Sequence, residues 1–87
     1  MNYKYNIHKK AMKFIQKQTT EQQKRIFRAV YLLPVTGDVK KLSGSDAKYR
    51  LRVGDYRIIF EIVPESNEVT LVDITDAGNR GQVYNNL

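Results

Sequence analysis

Three arginines surround one short turn. Arg50 and Arg52 lie before the pair Gly54-Asp55, and Arg57 follows it. Tyr49 to Val53 alternates apolar and polar residues, and Tyr56 to Val63 resumes the alternation. Two such runs separated by two residues, one of them glycine, predict a β-hairpin. The turn fixes the register, with Val53 opposite Tyr56, Arg52 opposite Arg57, Leu51 opposite Ile58 and Arg50 opposite Ile59. Successive side chains then point to opposite faces. One face carries Tyr49, Leu51, Val53, Tyr56, Ile58, Phe60 and Ile62. The other carries Arg50, Arg52 and Arg57, with Ile59 and Glu61 beside them. Like charges directly opposite on a sheet are destabilising, and a resident anion would offset that cost. A guanidinium offers phosphate a planar fork with two parallel hydrogen bonds. The competing reading is a solvated polar face, neutralised by Glu61 or Asp55.

Other chemistries find less support. His8 is the sole histidine, which excludes a histidine-pair nuclease and a histidine-rich metal site. Its place predicts a polar helix entry. Asp73 and Asp76 fall near an expected strand end and read as a turn feature rather than a metal site. Ser43, Ser45 and Ser66 sit in turns with no histidine placed to activate them. Gly54, Gly78 and Gly81 match no phosphate loop or dinucleotide fingerprint. The chain has no cysteine, so it has no disulfide and no thiolate metal site, which suits a reducing cytoplasm. Tyr84 joins an apolar body to a titratable tip in a polar tail. Its bland reading is an anchor packed on the sheet.

The elements that must position these residues are legible from periodicity. Tyr3 to Ile7 alternates and reads as a strand. From His8 the period changes: Ala11, Phe14 and Ile15 form an apolar stripe among Lys9, Lys10, Lys13 and Lys17, an amphipathic helix with a basic outer face. Gln18-Thr19-Thr20 breaks it. Thr20 with Gln23 fits a capping box, and Glu21 suits the positive end of a second helix. That helix is expected to run to about Leu33, with Ile26, Val30 and Leu33 as its stripe, Phe27 beside them, and Pro34 ending it. A short connection implies an antiparallel helix pair. Residues 34–47 read as a loop carrying Lys40 and Lys41. Beyond the hairpin, 64–67 is a turn, Val69 to Thr75 a strand, and 76–81 a loop. The tail 82–87 is either a short strand or loosely ordered.

With 87 residues, +6 net charge and no internal repeat, the chain fits one domain with one core, residues 1–87. The charge is uneven. Residues 1–31 hold eight basic groups and one acid, 32–61 six and four, and 62–87 one and four. Such a surface favours nucleic acid, anionic lipid or an acidic protein, or is simply a solvated lysine-rich face. No apolar run approaches a membrane span, and no signal-peptide pattern follows Met1, so the chain is expected to be soluble, unprocessed and without a membrane partner.

The stretch YRLRVGDYRIIFEI, Tyr49 to Ile62, resembles the central hairpin of the RelE/ParE toxin superfamily, in its RelE-like messenger-interferase branch. The resemblance covers nearly the whole chain. An N-terminal strand leads to a helix pair, a loop with Lys40-Lys41-Leu42, the arginine hairpin, a last strand, Gly78-Asn79-Arg80, and Val83-Tyr84. It implies an α+β fold: an N-terminal strand and an antiparallel helix pair packed on a small, mainly antiparallel sheet. It implies a cytoplasmic toxin of a type II toxin–antitoxin system that arrests growth by cutting messenger RNA in the ribosomal A site. In that chemistry the ribose 2′-hydroxyl attacks the adjacent phosphate without metal or other cofactor. By resemblance Arg50 and Arg52 match the basic hairpin positions, Arg57 the transition-state arginine, Arg80 the late arginine, and Tyr84 the C-terminal tyrosine. Lys40 and Lys41 join Arg50 and Arg52 as RNA contacts. A tyrosine near pKa ~10 is a poor base unless arginines favour its phenolate. The implied partners are an antitoxin with an acidic segment, and the ribosome with its messenger and ribosomal RNA. Relatives often carry His or Lys where this chain has Asn79, and other branches use a His/Glu acid–base pair that it lacks. The sister ParE branch inhibits DNA gyrase and is no nuclease. An inactive RNA-binding relative is a third reading.

Overall fold

The computed structural model describes residues 2–44 and 47–79. In chain order the elements are β1 (Asn2–Ile7), α1 (Lys9–Gln16), α2 (Thr20–Val30), β2 (Asp38–Lys41), β3 (Lys48–Val53), β4 (Tyr56–Pro64) and β5 (Val69–Asn79). The strands form one sheet in the order β1-β5-β4-β3-β2. Three of its pairings are antiparallel, and β1 runs parallel to β5. A parallel pair needs a crossover. The chain between β1 and β5 supplies one that contains both helices and the rest of the sheet.

The apolar stripes dictate how the layers meet. Ala11 and Ile15 of α1, and Ile26 and Val30 of α2, are fully buried. They pack with Leu51, Val53, Ile58, Phe60, Val72 and Ile74 from a single face of the sheet. That face is the apolar set expected of the hairpin, so the fold is α+β with one core between helices and sheet. Leu33 is also fully buried, but α2 ends at Val30, and Leu33 reaches the core from the turn after the helix. Rings close the margins of the core: Tyr49 stacks on Phe60 at 5.5 Å, and Phe14 meets Tyr56 edge-on at 5.8 Å.

Three further local expectations are corrected. The N-cap of α2 is Thr19, whose hydroxyl accepts from the Gln22 amide at 3.3 Å. Thr20, with the same chemistry one residue on, is the first helical residue. Residues 38–41 form an edge strand inside the expected loop, because their backbone pairs with β3 from Asp38↔Arg52 to Lys41↔Tyr49. β5 does not stop at Thr75 but runs to Asn79, through a stretch of turn-like composition. Its register against β4 shifts between Ile59 and Phe60, so that Ile59 pairs with Asp76 and Phe60 with Ile74. Thr75 is the extra residue of this bulge, and its hydroxyl donates to the Ile59 carbonyl at 3.3 Å.

Tyr5 ties the edge strand β1 to the segment after α2. Its hydroxyl donates to the carbonyls of Leu33 and Tyr31, and its ring meets Tyr31 edge-on. Burial raises the phenol above its ordinary pKa, with Tyr3 adding to the push. The neutral donor is therefore favoured, and the tie weakens only as pH rises into the alkaline range. Tyr5→Phe should lower stability by about 0.5–1.5 kcal/mol through the lost hydrogen bonds. Phe60→Ala, at a fully buried core ring, should cost about 3–5 kcal/mol. Urea denaturation measures both, and equal losses would contradict the packing described.

Candidate functional site

Side-chain parity sorts the polar residues of the sheet. The face away from the helices carries three cross-strand rows. The first is Asp38, Arg52, Arg57 and Gly78, and the second is Lys40, Arg50, Ile59 and Asp76. The third is Lys48, Glu61, Asp73 and Asn6. The hairpin register is the one its two-residue turn predicts, and Arg52 lies directly opposite Arg57. The cause is Gly54, which takes φ +57 as the first central residue while Asp55 stays in the negative-φ region. That combination suits a tight hairpin whose first central residue is glycine.

The three hairpin arginines stand in different environments. Arg57 is only 5% exposed. Its Nη1 donates to the carbonyls of Tyr56 at 3.0 Å and Gly54 at 3.2 Å. A buried charge is costly unless hydrogen-bonded, and these carbonyls meet part of that cost without cancelling the charge. Among the described residues both of those bonds use Nη1. Arg50 reaches diagonally to Asp38, Nη1 to Oδ1 at 3.6 Å, an ion pair at the long end of the range. Arg52 is exposed and has no described carboxylate within ion-pair distance. Among the described residues one cation is buried and held by two carbonyls, one is held by a long ion pair, and one meets no carboxylate. Fixed dipoles and charges in a dry setting act on an anion far more strongly than solvated ones.

The remaining predicted residues divide. Lys40 is exposed and pairs with Arg50, so it belongs to the arginine face. Lys41 pairs with Tyr49 and so has the parity of the helix face. Arg80 and Tyr84 lie outside the described residues. Two residues that sequence reasoning left unassigned also shape this face. Asp38 holds Arg50. Gly78 pairs with Arg57, so that row ends in bare backbone. The only sequence signal for either was its residue type, since each depends on a strand the sequence did not show.

Sequence reading put Asp73 inside the last strand and Asp76 in the loop after it, and took the two acids as a turn feature. Asp73 and Asp76 are not turn residues but strand residues with specific partners. The His8 ring lies 2.9 Å from an Asp73 oxygen through Nε2, and Asn6 Nδ2 donates to the same oxygen at 2.8 Å. His8 does occupy the N-cap of α1, yet its side chain makes no cap bond. Asp76 accepts from the Ala77 amide at 2.8 Å and pairs with Lys10 at 3.3 Å. Among the described residues no group of three or more His, Cys, Asp or Glu side chains could hold a metal. No described helix is long and apolar enough to cross a membrane.

No protein-family profile matches the chain, and no curated protein matches it by sequence. Solved structures do. A chain of the RelB–RelE antitoxin–toxin complex from Methanococcus jannaschii superposes with a TM-score of 0.72 at 23% identity, covering 93% of this chain and 96% of that one. A chain of the RelBE2 toxin–antitoxin complex from Mycobacterium tuberculosis gives 0.57 at 23% identity, covering 92% and 100%. These two establish the fold. A chain of the archaeal RelE–RelB complex from Pyrococcus horikoshii OT3 is 31% identical, with a TM-score of 0.67 and coverage of 94% and 99%. That identity over nearly the full length of both chains, on a shared fold, goes further: the chain belongs to the RelE-like toxin superfamily.

Proposed function

We propose that this chain is the toxin of a type II toxin–antitoxin pair, and that it acts in the cytoplasm as an endoribonuclease cutting messenger RNA in the ribosomal A site. The observation that carries this reading is the opposed Arg52–Arg57 pair, with Arg57 buried and its guanidinium held by two carbonyls. Such an arrangement costs stability without an anion and gains it with one. Membership of a superfamily of toxins supports the same reading.

The reaction proposed needs no metal. The 2′-oxygen of one ribose attacks the adjacent phosphorus, and the bond to the next 5′-oxygen breaks. The products are a cyclic phosphate and a free 5′-hydroxyl. The 2′-hydroxyl gives its proton to Tyr84, and the leaving oxygen takes one from water, with Arg50 or Arg52 neutralising its charge. Charge grows on the phosphoryl oxygens in between. Arg57 offsets it from a fixed, dehydrated position, where no reorganisation is needed at the moment of reaction. Arg52 and Arg50 steady the backbone, and Lys40 extends the positive row to the edge strand. Arg80 grips the phosphate. Tyr84 takes the 2′-proton, a role that requires arginines to favour its phenolate.

Mapping cut positions on ribosome-bound reporter messenger tests this. Arg57→Gln should lower cleavage by about 10²–10³. Thermal unfolding should move little, since relief of the Arg52 repulsion offsets the lost carbonyl bonds. Intact messenger with the unmutated protein, together with arrested gyrase supercoiling, would sink the nuclease reading.

A toxin of this kind needs a partner that silences it, and we infer an antitoxin that combines an acidic segment with apolar anchors. Just past α2, Tyr31 and Leu32 are each 53% exposed and Val35 73%. Apolar side chains grouped this way suit the core of a protein interface. Leu32→Asp combined with Val35→Asp should weaken the toxin–antitoxin complex by at least about tenfold in a titration and leave messenger cleavage intact. An unchanged affinity would move the antitoxin elsewhere.

A further inference from the structure

The outer face of α2 carries charge that the hairpin chemistry does not use. Lys24, Arg25 and Arg28 are exposed there with a single acid, Glu21, and the four line a shallow open depression of about 440 Å³. Lys24 and Arg28 are four residues apart and Arg25 and Arg28 three, spacings at which like charges repel on a helix. Among the described residues no carboxylate lies within ion-pair distance of any of these three cations. The helix therefore bears three cations and one acid on one surface, a net positive face.

That surface is joined to the hairpin through one residue. The Arg25 guanidinium packs on the Gly54 backbone so closely that a Cβ there would lie 3.1–3.2 Å from its Nη1, Cζ and Nη2 atoms. The carbonyl of the same Gly54 accepts from Arg57. Arg25 on the helix side and Arg57 on the far side thus share one turn. No aromatic or aliphatic residue lines the α2 depression. Protein interfaces centre on apolar and aromatic anchors, and the exposed apolar residues of this chain lie elsewhere, after the helix. A phosphate backbone needs cations alone, and its binding is driven by counterion release.

We propose that Lys24, Arg25 and Arg28 form a second RNA contact, which grips the phosphate backbone of duplex RNA while the far sheet face holds the single strand to be cut. It rests on the RNA reading above and adds to it the kind of RNA structure that positions the protein. Shape and phosphate contacts are how proteins recognise duplex RNA, since its deep groove hides the base edges. Lys24 and Arg28 supply the mobile contacts. Arg25 supplies the one already seated against the turn.

The test uses the full chain, a short fluorescein-labelled RNA duplex, and a single-stranded oligonucleotide of one of its strands. Lys24→Gln with Arg28→Gln should weaken duplex binding by at least about tenfold and reduce the slope of log affinity against log salt by about 1.5–2, the loss of two phosphate contacts. Single-strand binding should hold. Arg52→Gln should show the reverse pattern. Duplex affinity and salt slope unchanged in the double variant would overturn the proposal. So would equal losses on both probes, or a loss confined to an acidic antitoxin peptide. A protein that cuts messenger but keeps duplex binding in the double variant sinks this contact alone. A protein that binds duplex through α2 yet cuts no messenger sinks the nuclease reading and leaves the contact standing.

Discussion

Everything on the far sheet face follows from the two residues that join β3 to β4. Gly54 at φ +57 and Asp55 close the chain in the least space a hairpin allows. A loop one residue longer in either strand would reverse the parity of one partner. Ile58 and Phe60 would then face water while Arg57 entered the core. The cost of that exchange is several buried apolar side chains. The register is thus held from both sides, by turn geometry and by the helices that demand an apolar face. The arginines have no freedom to avoid one another. Arg52 and Arg57 are opposed because Leu51, Val53, Tyr56 and Ile58 must be where they are.

The same constraint explains why the arginines differ. Arg57 belongs to β4, with a strand on either side, so its guanidinium lies over sheet and finds carbonyls of its own turn. Arg50 and Arg52 belong to β3, which is flanked on its outer side only by the short β2. One of them meets Asp38 and the other meets solvent. A gradient from fixed to mobile cation therefore crosses the sheet within one row. Rigid groups stabilise charge that develops at a defined point, and mobile ones gather a flexible chain from solution. The far face has both.

What could be read from the sequence is what local rules decide. The hairpin register, the two helical stripes and the N-terminal strand each rest on a period of two or 3.6 over at least five residues. What escaped depends on pairing with distant chain. Asp38-Val39-Lys40-Lys41 has one apolar residue in four, and charged side chains are how an edge strand avoids further pairing. Its composition says loop, and only β3 makes it a strand. Asp76-Ala77-Gly78-Asn79 has turn chemistry too, but β4 continues beside it and the Thr75 bulge absorbs the misfit. His8 and Asp73 are 65 positions apart, and only the parallel β1–β5 register brings them together. At the start of α2 the neighbouring threonines have the same chemistry, so the cap could not be told apart by type.

These distant pairings also decide where the net charge is expressed. Lys4 pairs with Glu65, His8 with Asp73, and Lys10 with Asp76, each crossing from β1 or the start of α1 to β5 or the turn before it. The exposed Lys4–Glu65 pair adds little stability. The effect of the three pairs is on the field. Nearly all the acids of the last third are spent beside β1 and α1, the most basic part of the sequence. The +6 of the chain is left to the residues those acids do not reach: the outer lysines of α1, the outer face of α2, and the arginines of the hairpin. A count along the sequence puts the excess in residues 1–31, but two lysines of that stretch, Lys4 and Lys10, are paired with acids of the last third. At the hairpin tip Gly54 meets a cation from each layer, Arg25 against its backbone and Arg57 on its carbonyl, so the turn that sets the register also joins the basic helix face to the arginine row.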